Sequence, residues 1–338
     1  MSERIAVRPS DDVERAESTR STRSELLARI AQRQGALVVL VLLSVVMAIR
    51  YPTFATGANL SQIALQSSFL AIIAVGMTLV IFTGGIDLSV GSVFALGGVL
   101  AAWGSQYGPL AGVVLPMLAC GLIGLVQGLV IARGGLPPFI VTLAGLLFAR
   151  GLLLILTDEG STTFKVPADS GFRALAQGKL LGLGLSVWIM AVLVVIAFVV
   201  QHRTTYGSTI LAIGGQEDAA RLMGLPVVRT KVLTYVVSAV LAALAGILTA
   251  SYTASGVTTL GVGLELSAIA AVVLGGTLLT GGAGSVVGTL VGVLLLQEIA
   301  NLINRLNLSN SNWQAVTSGT VLLVVATAQA YLKRIQKE

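Results

Sequence analysis

The sequence predicts an all-α, polytopic integral membrane protein of about ten transmembrane helices, eight to ten with broken or half helices among them. Three observations predict it. Of 338 residues, 55% are hydrophobic and 11% charged, whereas a soluble domain typically carries about 25% charged residues. The apolar runs are long and continuous, whereas membrane strands alternate apolar and polar positions. The 39 glycines, with many Ala, Ser and Thr, suit helices that pack closely in lipid.

Residues 1–34 are polar, with seven Arg against six Asp or Glu, and read as a cytoplasmic tail. Apolar runs follow at roughly 36–50, 60–83, 89–104, 109–132, 138–157, 185–202, 231–251, 266–280, 285–304 and 313–332. The membrane domain is thus expected over 35–333, with a short cytoplasmic C-terminus at 334–338. The runs near 15 residues are too short for a straight span. With the N-terminus inside, fifteen Lys or Arg fall in cytoplasmic segments and five outside. That bias predicts both termini inside and an even number of spans. Trp103, Tyr107, Trp188, Tyr252 and Trp313 sit near span ends, where interfacial anchors belong. Two loops are long: 158–184 outside and 203–230 in the cytoplasm. In the second, Glu217 to Met223 reads as a short helix stopped by Gly224-Leu225-Pro226.

Residues 76–98 carry the most information. An apolar run leads into Gly84-Gly85, then Asp87, Ser89 and Gly91, then a second apolar run. A charge in or near a bilayer is costly and usually functional. The glycine pair lets a helix stop, and Asp87 is placed to cap the next one. Asp87 therefore reads either as a hinge or pathway residue or as a structural cap. Thr83-Gly84-Gly85 with Ser89-Val90-Gly91 resembles Thr280-Gly281-Gly282 with Ser285 to Gly288, a hint of an internal repeat.

One cysteine, Cys120, excludes an intramolecular disulfide, and one histidine, His202, argues against a zinc site. No metal and no cofactor is expected. No Gly-x-x-x-x-Gly-Lys-Ser/Thr loop occurs, so the chain carries no recognisable nucleotide site. The net charge of +6 follows from basic residues at cytoplasmic loop ends and does not indicate nucleic acid.

Beyond these features, Gly76-Met77-Thr78-Leu79-Val80-Ile81-Phe82-Thr83-Gly84-Gly85-Ile86-Asp87-Leu88-Ser89-Val90-Gly91 resembles the signature of a known family. The family is the inner-membrane permease subunits of bacterial ABC importers for ribose, xylose, arabinose and galactofuranose. Similarity continues at Leu136-Pro137-Pro138-Phe139-Ile140-Val141-Thr142-Leu143-Ala144-Gly145 with Arg150-Gly151, at Ala212-Ile213-Gly214-Gly215 through Gly224, and from Gly263 to Thr277. These blocks cover about residues 60–332. The family often has Glu-Leu-Asp where this chain has Glu265-Leu266-Ser267, so substrate preference does not transfer directly. The lead-in Gly261-Val262-Gly263 is nearest the galactofuranose type.

The resemblance implies a pore of two permease subunits, identical or related, in the bacterial inner membrane, and no enzymatic activity in this chain. A periplasmic sugar-binding protein would dock on the outer loops, 158–184 and 252–265. A cytoplasmic ATPase would engage 203–230 through Gly214, Gly215, Glu217, Asp218, Ala219, Ala220, Arg221 and Gly224. The expected substrate pathway or hinge comprises Gly84, Gly85, Asp87, Ser89, Gly91, Gln66, Gln127, Thr142, Arg150 and Glu265. Gln66, Gln127 and Thr142 offer hydrogen bonds without charge, which suits a sugar path and suits helix packing equally. Arg150 reads as a snorkelling or gate residue, and Glu265 as an interfacial or gate charge. Glu298, Gln297, Asn301 and Asn304 form a polar stripe, read first as interhelical hydrogen bonding. The competing classes are an ion-driven secondary transporter, which needs coupling charges in mid-membrane, and a membrane enzyme, which finds no His, Cys or paired carboxylates.

Overall fold

The computed structural model describes residues 35–306 together with 313, 316–317, 319–320, 323–324 and 327. The expected tail 1–34, the C-terminus 334–338 and most of the run 313–332 lie outside the described residues. The described chain forms α1 (Gly35–Arg50), α2 (Gly57–Phe82), α3 (Val90–Gly104), α4 (Pro109–Ala132), α5 (Pro138–Leu156), α6 (Ala174–Gln177), α7 (Leu185–Arg203), α8 (Thr205–Gly215), α9 (Glu217–Leu222), α10 (Val227–Thr253), α11 (Leu264–Leu274) and α12 (Val286–Arg305). Among the described residues α2, α4, α5, α7, α10 and α12 are long and apolar enough to cross a membrane, and α1 and α11 are shorter apolar helices.

Local chemistry sets several helix starts. Thr56, Thr204 and Ser285 accept a backbone N–H from the first turns of α2, α8 and α12. α4 and α5 begin at Pro109 and Pro138, where the missing N–H leaves no bond unmade.

α2 and α10 form the interior. In α2, 94% of the apolar window is buried, against 22% in α5, which therefore lies at the rim. α10 packs on α2, α3 and α4. Small residues allow the approach: a Cβ at Gly97 would stand 2.8 Å from the Ala243 Cα, and one at Gly128 would stand 2.8 Å from the Val232 Cα. Backbones this close gain dispersion contacts that lipid tails cannot match.

Two membrane helices are shortened, as the sequence predicts. α3 is 15 residues, roughly 22 Å against a hydrocarbon core of about 30 Å, and the non-helical segment 83–89 supplies the remaining depth. α11 has 11 residues. The run 266–280 is not one span: the helix stops at Leu274, Gly276 takes φ 87°, and 275–285 is a turn. The expected run crosses Gly275-Gly276, where the helix ends.

The segment 158–184, expected on the outer side, is packed against the bundle. It contains α6 and a two-stranded hairpin, β1 (Lys179–Leu180) with β2 (Leu183–Gly184). Phe172 is fully buried over Ala101, Ala102 and Ile247. The Ser251 hydroxyl donates to the Phe172 carbonyl and accepts the Ala176 N–H.

Candidate functional site

Asp87 lies in the break between α2 and α3 and is 0% exposed. One carboxylate oxygen accepts the Ser89 N–H at 3.0 Å and the Ser89 hydroxyl at 2.6 Å. The other accepts the Ser238 hydroxyl from α10 at 2.8 Å. By helix boundary the N-cap of α3 is Ser89, which makes no side-chain cap bond, and Asp87 takes up the Ser89 N–H in the turn just ahead of it. Burial explains the arrangement, since an unpaired buried carboxylate would cost several kcal/mol, on the order of its desolvation.

Four helices converge here. Gln127 of α4 places Oε1 3.3 Å from the Ser89 hydroxyl. The Thr142 hydroxyl of α5 bonds the Ile86 carbonyl at 3.2 Å. Two polar atoms, Gln127 Nε2 and Tyr235 Oη, are buried without a hydrogen-bond partner among the described residues. Glycines make room for both, because a Cβ at Gly145 would overlap the Gln127 amide and one at Gly85 would overlap the Tyr235 hydroxyl. Asp87, Ser89, Gln127, Thr142 and Gly85 thus form one buried polar knot. Ser238 and Tyr235 complete it without having been marked in the sequence.

The two Thr-Gly-Gly motifs meet beside this knot. Gly84 and Gly281 both adopt positive φ, 76° and 82°. The Gly282 N–H donates to the Phe82 carbonyl at 3.1 Å. Gly214, near the end of α8, completes the contact: a Cβ there would overlap the Phe82 carbonyl and the Gly282 nitrogen. The two glycine turns that resemble each other in sequence are thus in direct backbone contact.

The predicted short helix is α9. Its stop follows the expected chemistry, with Gly224 at φ 77° and the Leu225 N–H bonded to the Ala220 carbonyl at 3.1 Å. Ala220 is buried against Ile213 and Val227, whereas Leu222 is 90% and Met223 68% exposed. Gly215 and Asp218 are exposed and Ala219 is partly covered. Glu217 bonds Arg221 at 2.8 Å and Lys231 of α10 at 2.6 Å. What the sequence left as loop before it, 205–215, is the helix α8.

Partial burial works to raise the Glu217 carboxyl, but the hydrogen bond and charge of Lys231, with Arg221 behind it, outweigh this and hold it below the ordinary glutamate value. A depressed folded value means the anchoring is complete above the ordinary glutamate range and is lost as pH falls through the folded value. Glu217→Gln is expected to cost about 1 kcal/mol or less, since the pair is partly exposed. Hydrogen exchange at 217–222 should become faster in this variant at neutral pH and match wild type once Glu217 is protonated.

Arg150 and Glu265 sit apart from the knot. After α10 the chain runs non-helically over 254–263 along α3: a Cβ at Gly256 would meet the Val99 Cα, and one at Gly91 would overlap the Gly261 carbonyl and the Glu265 carboxylate. Packed non-helical backbone needs its polar groups satisfied. Arg150 does this, donating to the carbonyls of Thr258 at 2.9 Å and Leu260 at 3.2 Å. Glu265 therefore lies against α3 rather than at an exposed loop re-entry.

A cavity of 130 Å³ lies between α2, α11 and α12, lined by Ser267, Gln297, Leu70, Leu296 and Thr317 among others. The Gln297 amide also bonds the Gln66 carbonyl at 3.4 Å, while the Gln66 side chain is exposed. The polar stripe of α12 makes interhelical bonds as expected. Glu298 accepts from Ser44 at 3.0 Å, and the Asn301 amide donates to Asn59 at 3.2 Å.

Residues 59–326 match the family model described as branched-chain amino acid transport system / permease component. The chain is 41% identical over 295 residues to the ribose import permease protein RbsC of Escherichia coli K12, covering 86% of this chain and 91% of that protein. It is 39% identical to RbsC of Bacillus subtilis, covering 87% and 92%. It is 37% identical to the L-arabinose transport system permease protein AraH of Escherichia coli K12, covering 91% and 94%. No solved structure matches. The multi-pass helical body fits these matches, and this chain is a member of the ABC importer permease family, a multi-pass protein of the bacterial inner membrane.

Proposed function

We propose that this chain is the transmembrane subunit of an importer that moves a monosaccharide into the cytoplasm, driven by a separate ATPase and fed by a periplasmic binding protein. Two permease subunits, identical or related, form the pore. The relatives named for ribose and arabinose support a monosaccharide, and both of those sugars are pentoses. The observation that carries the energy-coupling reading is α8–α9. Exposed Leu222 and Met223 are offered to a partner, while Gly214 ties the same unit to the Asp87 break. Motion imposed on α9 would thus reach the break through backbone contacts. ATP binding and hydrolysis by the partner shift the balance of outward- and inward-open states through differential binding.

Sugar contact is assigned to the α2–α11–α12 cavity, where Ser267 and Gln297 offer neutral hydrogen bonds. Ser267 stands where the family often has Asp, so pentoses and hexoses, galactofuranose included, belong in one transport panel. The test is a native pull-down from gently solubilised membranes with mass spectrometry, followed by uptake in vesicles. The expected result is an accompanying ATPase and uptake that follows ATP. A chain that comes alone, under conditions that preserve a known ABC complex, with uptake following an ion gradient, would overturn the reading.

A further inference from the structure

We propose that a groove between α4 and α10 binds one anionic phospholipid next to the α8–α9 unit. The groove has a volume of 880 Å³ and is lined by Leu125, Leu129, Val232, Leu233 and Val236, with Arg133, Arg221 and Arg229 at one end. No carboxylate lines it. Arg221 shares its charge with Glu217, whereas Arg133 and Arg229 make no ion pair among the described residues. The charged end is the end that the basic bias places in the cytoplasm.

The shape of the groove selects its occupant. Leu125 lies inside α4, roughly 10 Å from its Ala132 end, and Val236 roughly 13 Å from the start of α10. Both belong to helices long enough to cross the membrane. An occupant must therefore present an anion at the arginines and an apolar part within the bilayer. A soluble partner does not reach that floor, and a free phosphate leaves it empty. On the same helix, Leu118, Leu122 and Val126 are also exposed. Basic pockets at the cytoplasmic ends of membrane helices hold anionic head groups by this combination.

The test uses the full chain with its accompanying subunits, reconstituted in vesicles of phosphatidylethanolamine and phosphatidylglycerol and then weighed by native mass spectrometry. Retained phosphatidylglycerol is expected. Arg133→Gln with Arg229→Gln should lower its retention roughly 30-fold, from the usual contribution of two cations near an anionic surface. Arg133→Lys with Arg229→Lys should keep most of it. Equal retention in the Gln pair, or equal retention of phosphatidylethanolamine, would overturn the proposal. A photo-reactive Leu233→p-benzoylphenylalanine supplies a second readout. A cross-link to lipid supports the proposal, and a cross-link to the ATPase or to a second copy overturns it. Should the Gln pair fail to assemble, that cross-link decides. Failure here leaves the importer reading intact, because ATP-driven uptake and ATPase pull-down are read on the unsubstituted chain, whatever fills the groove.

Discussion

Asp87→Ala is expected to remove most of the folded permease from the membrane, and Asp87→Asn to leave most of it in place. The alanine variant strips the partners from the Ser89 N–H and the Ser238 hydroxyl and leaves the Ser89 hydroxyl only the longer bond to Gln127 Oε1 at 3.3 Å. These groups are buried, and each orphaned donor costs roughly 1–3 kcal/mol. Deleting the carboxylate returns its own desolvation cost, which tempers the sum, but a net loss of roughly 2–5 kcal/mol remains. That is a large fraction of the stability of an ordinary domain. Asparagine keeps the shape. Its Oδ1 accepts both Ser89 donors, and the Ser238 hydroxyl turns to accept from the new amide. Membrane abundance and detergent melting of both variants, with transport measured per folded molecule, separate the readings. If Asp87 is a structural tie, the asparagine variant transports at near the wild-type rate per molecule. If its charge serves the pathway, that variant folds and does not transport.

The sequence showed where this chain bends but not what holds the bends. Gly84-Gly85, Asp87 and the Gly224-Leu225-Pro226 stop are local signals, and the structure places a break or a stop at each. Ser238 lies 151 residues from Asp87 in an ordinary apolar stretch of α10, and nothing beside it marks it as a partner. Tyr235, also on α10, is hidden for the same reason. Depth is a second blind spot. The segment 254–263 has the composition of an outer loop, yet it runs along α3 because Arg150 satisfies its carbonyls. That pairing depends on a residue more than a hundred positions earlier. A third is continuity: the expected run 266–280 crosses Gly275-Gly276, where the structure ends the helix. Gln66, Thr142 and Glu298 were visible as polar residues, but which helix each addresses comes only from packing.

Neighbouring glycines of α8 make the sharpest contrast available in this chain. Gly214→Ala is expected to disable transport, and Gly215→Ala to be silent. A Cβ at Gly214 would overlap the Phe82 carbonyl and the Gly282 nitrogen and would stand 2.9 Å from the Phe82 carbonyl carbon. All three are backbone atoms, so no rotamer change relieves the clash. The methyl would also wedge apart the Gly282 N–H and Phe82 carbonyl, which now bond at 3.1 Å. Overpacking of this kind costs about 1–3 kcal/mol and is relieved only by moving an element. The free element is α8–α9, so relief displaces the unit from the glycine turns of α2 and of 275–285. At Gly215 nothing lies within 4 Å, and alanine there improves helix propensity by up to about 1 kcal/mol. Size, polarity and sequence position are thus nearly matched between the two variants, and only contact with the break differs. ATP-driven uptake in reconstituted vesicles should fall at least roughly tenfold for Gly214→Ala, the factor that about 1.4 kcal/mol represents, while ATPase capture through Leu222 and Met223 persists. Equal behaviour of the two variants would mean that motion of α9 does not reach the Asp87 break through Gly214, and another contact of α8, such as the Tyr206 hydroxyl on Thr234 at 2.7 Å, would have to carry it.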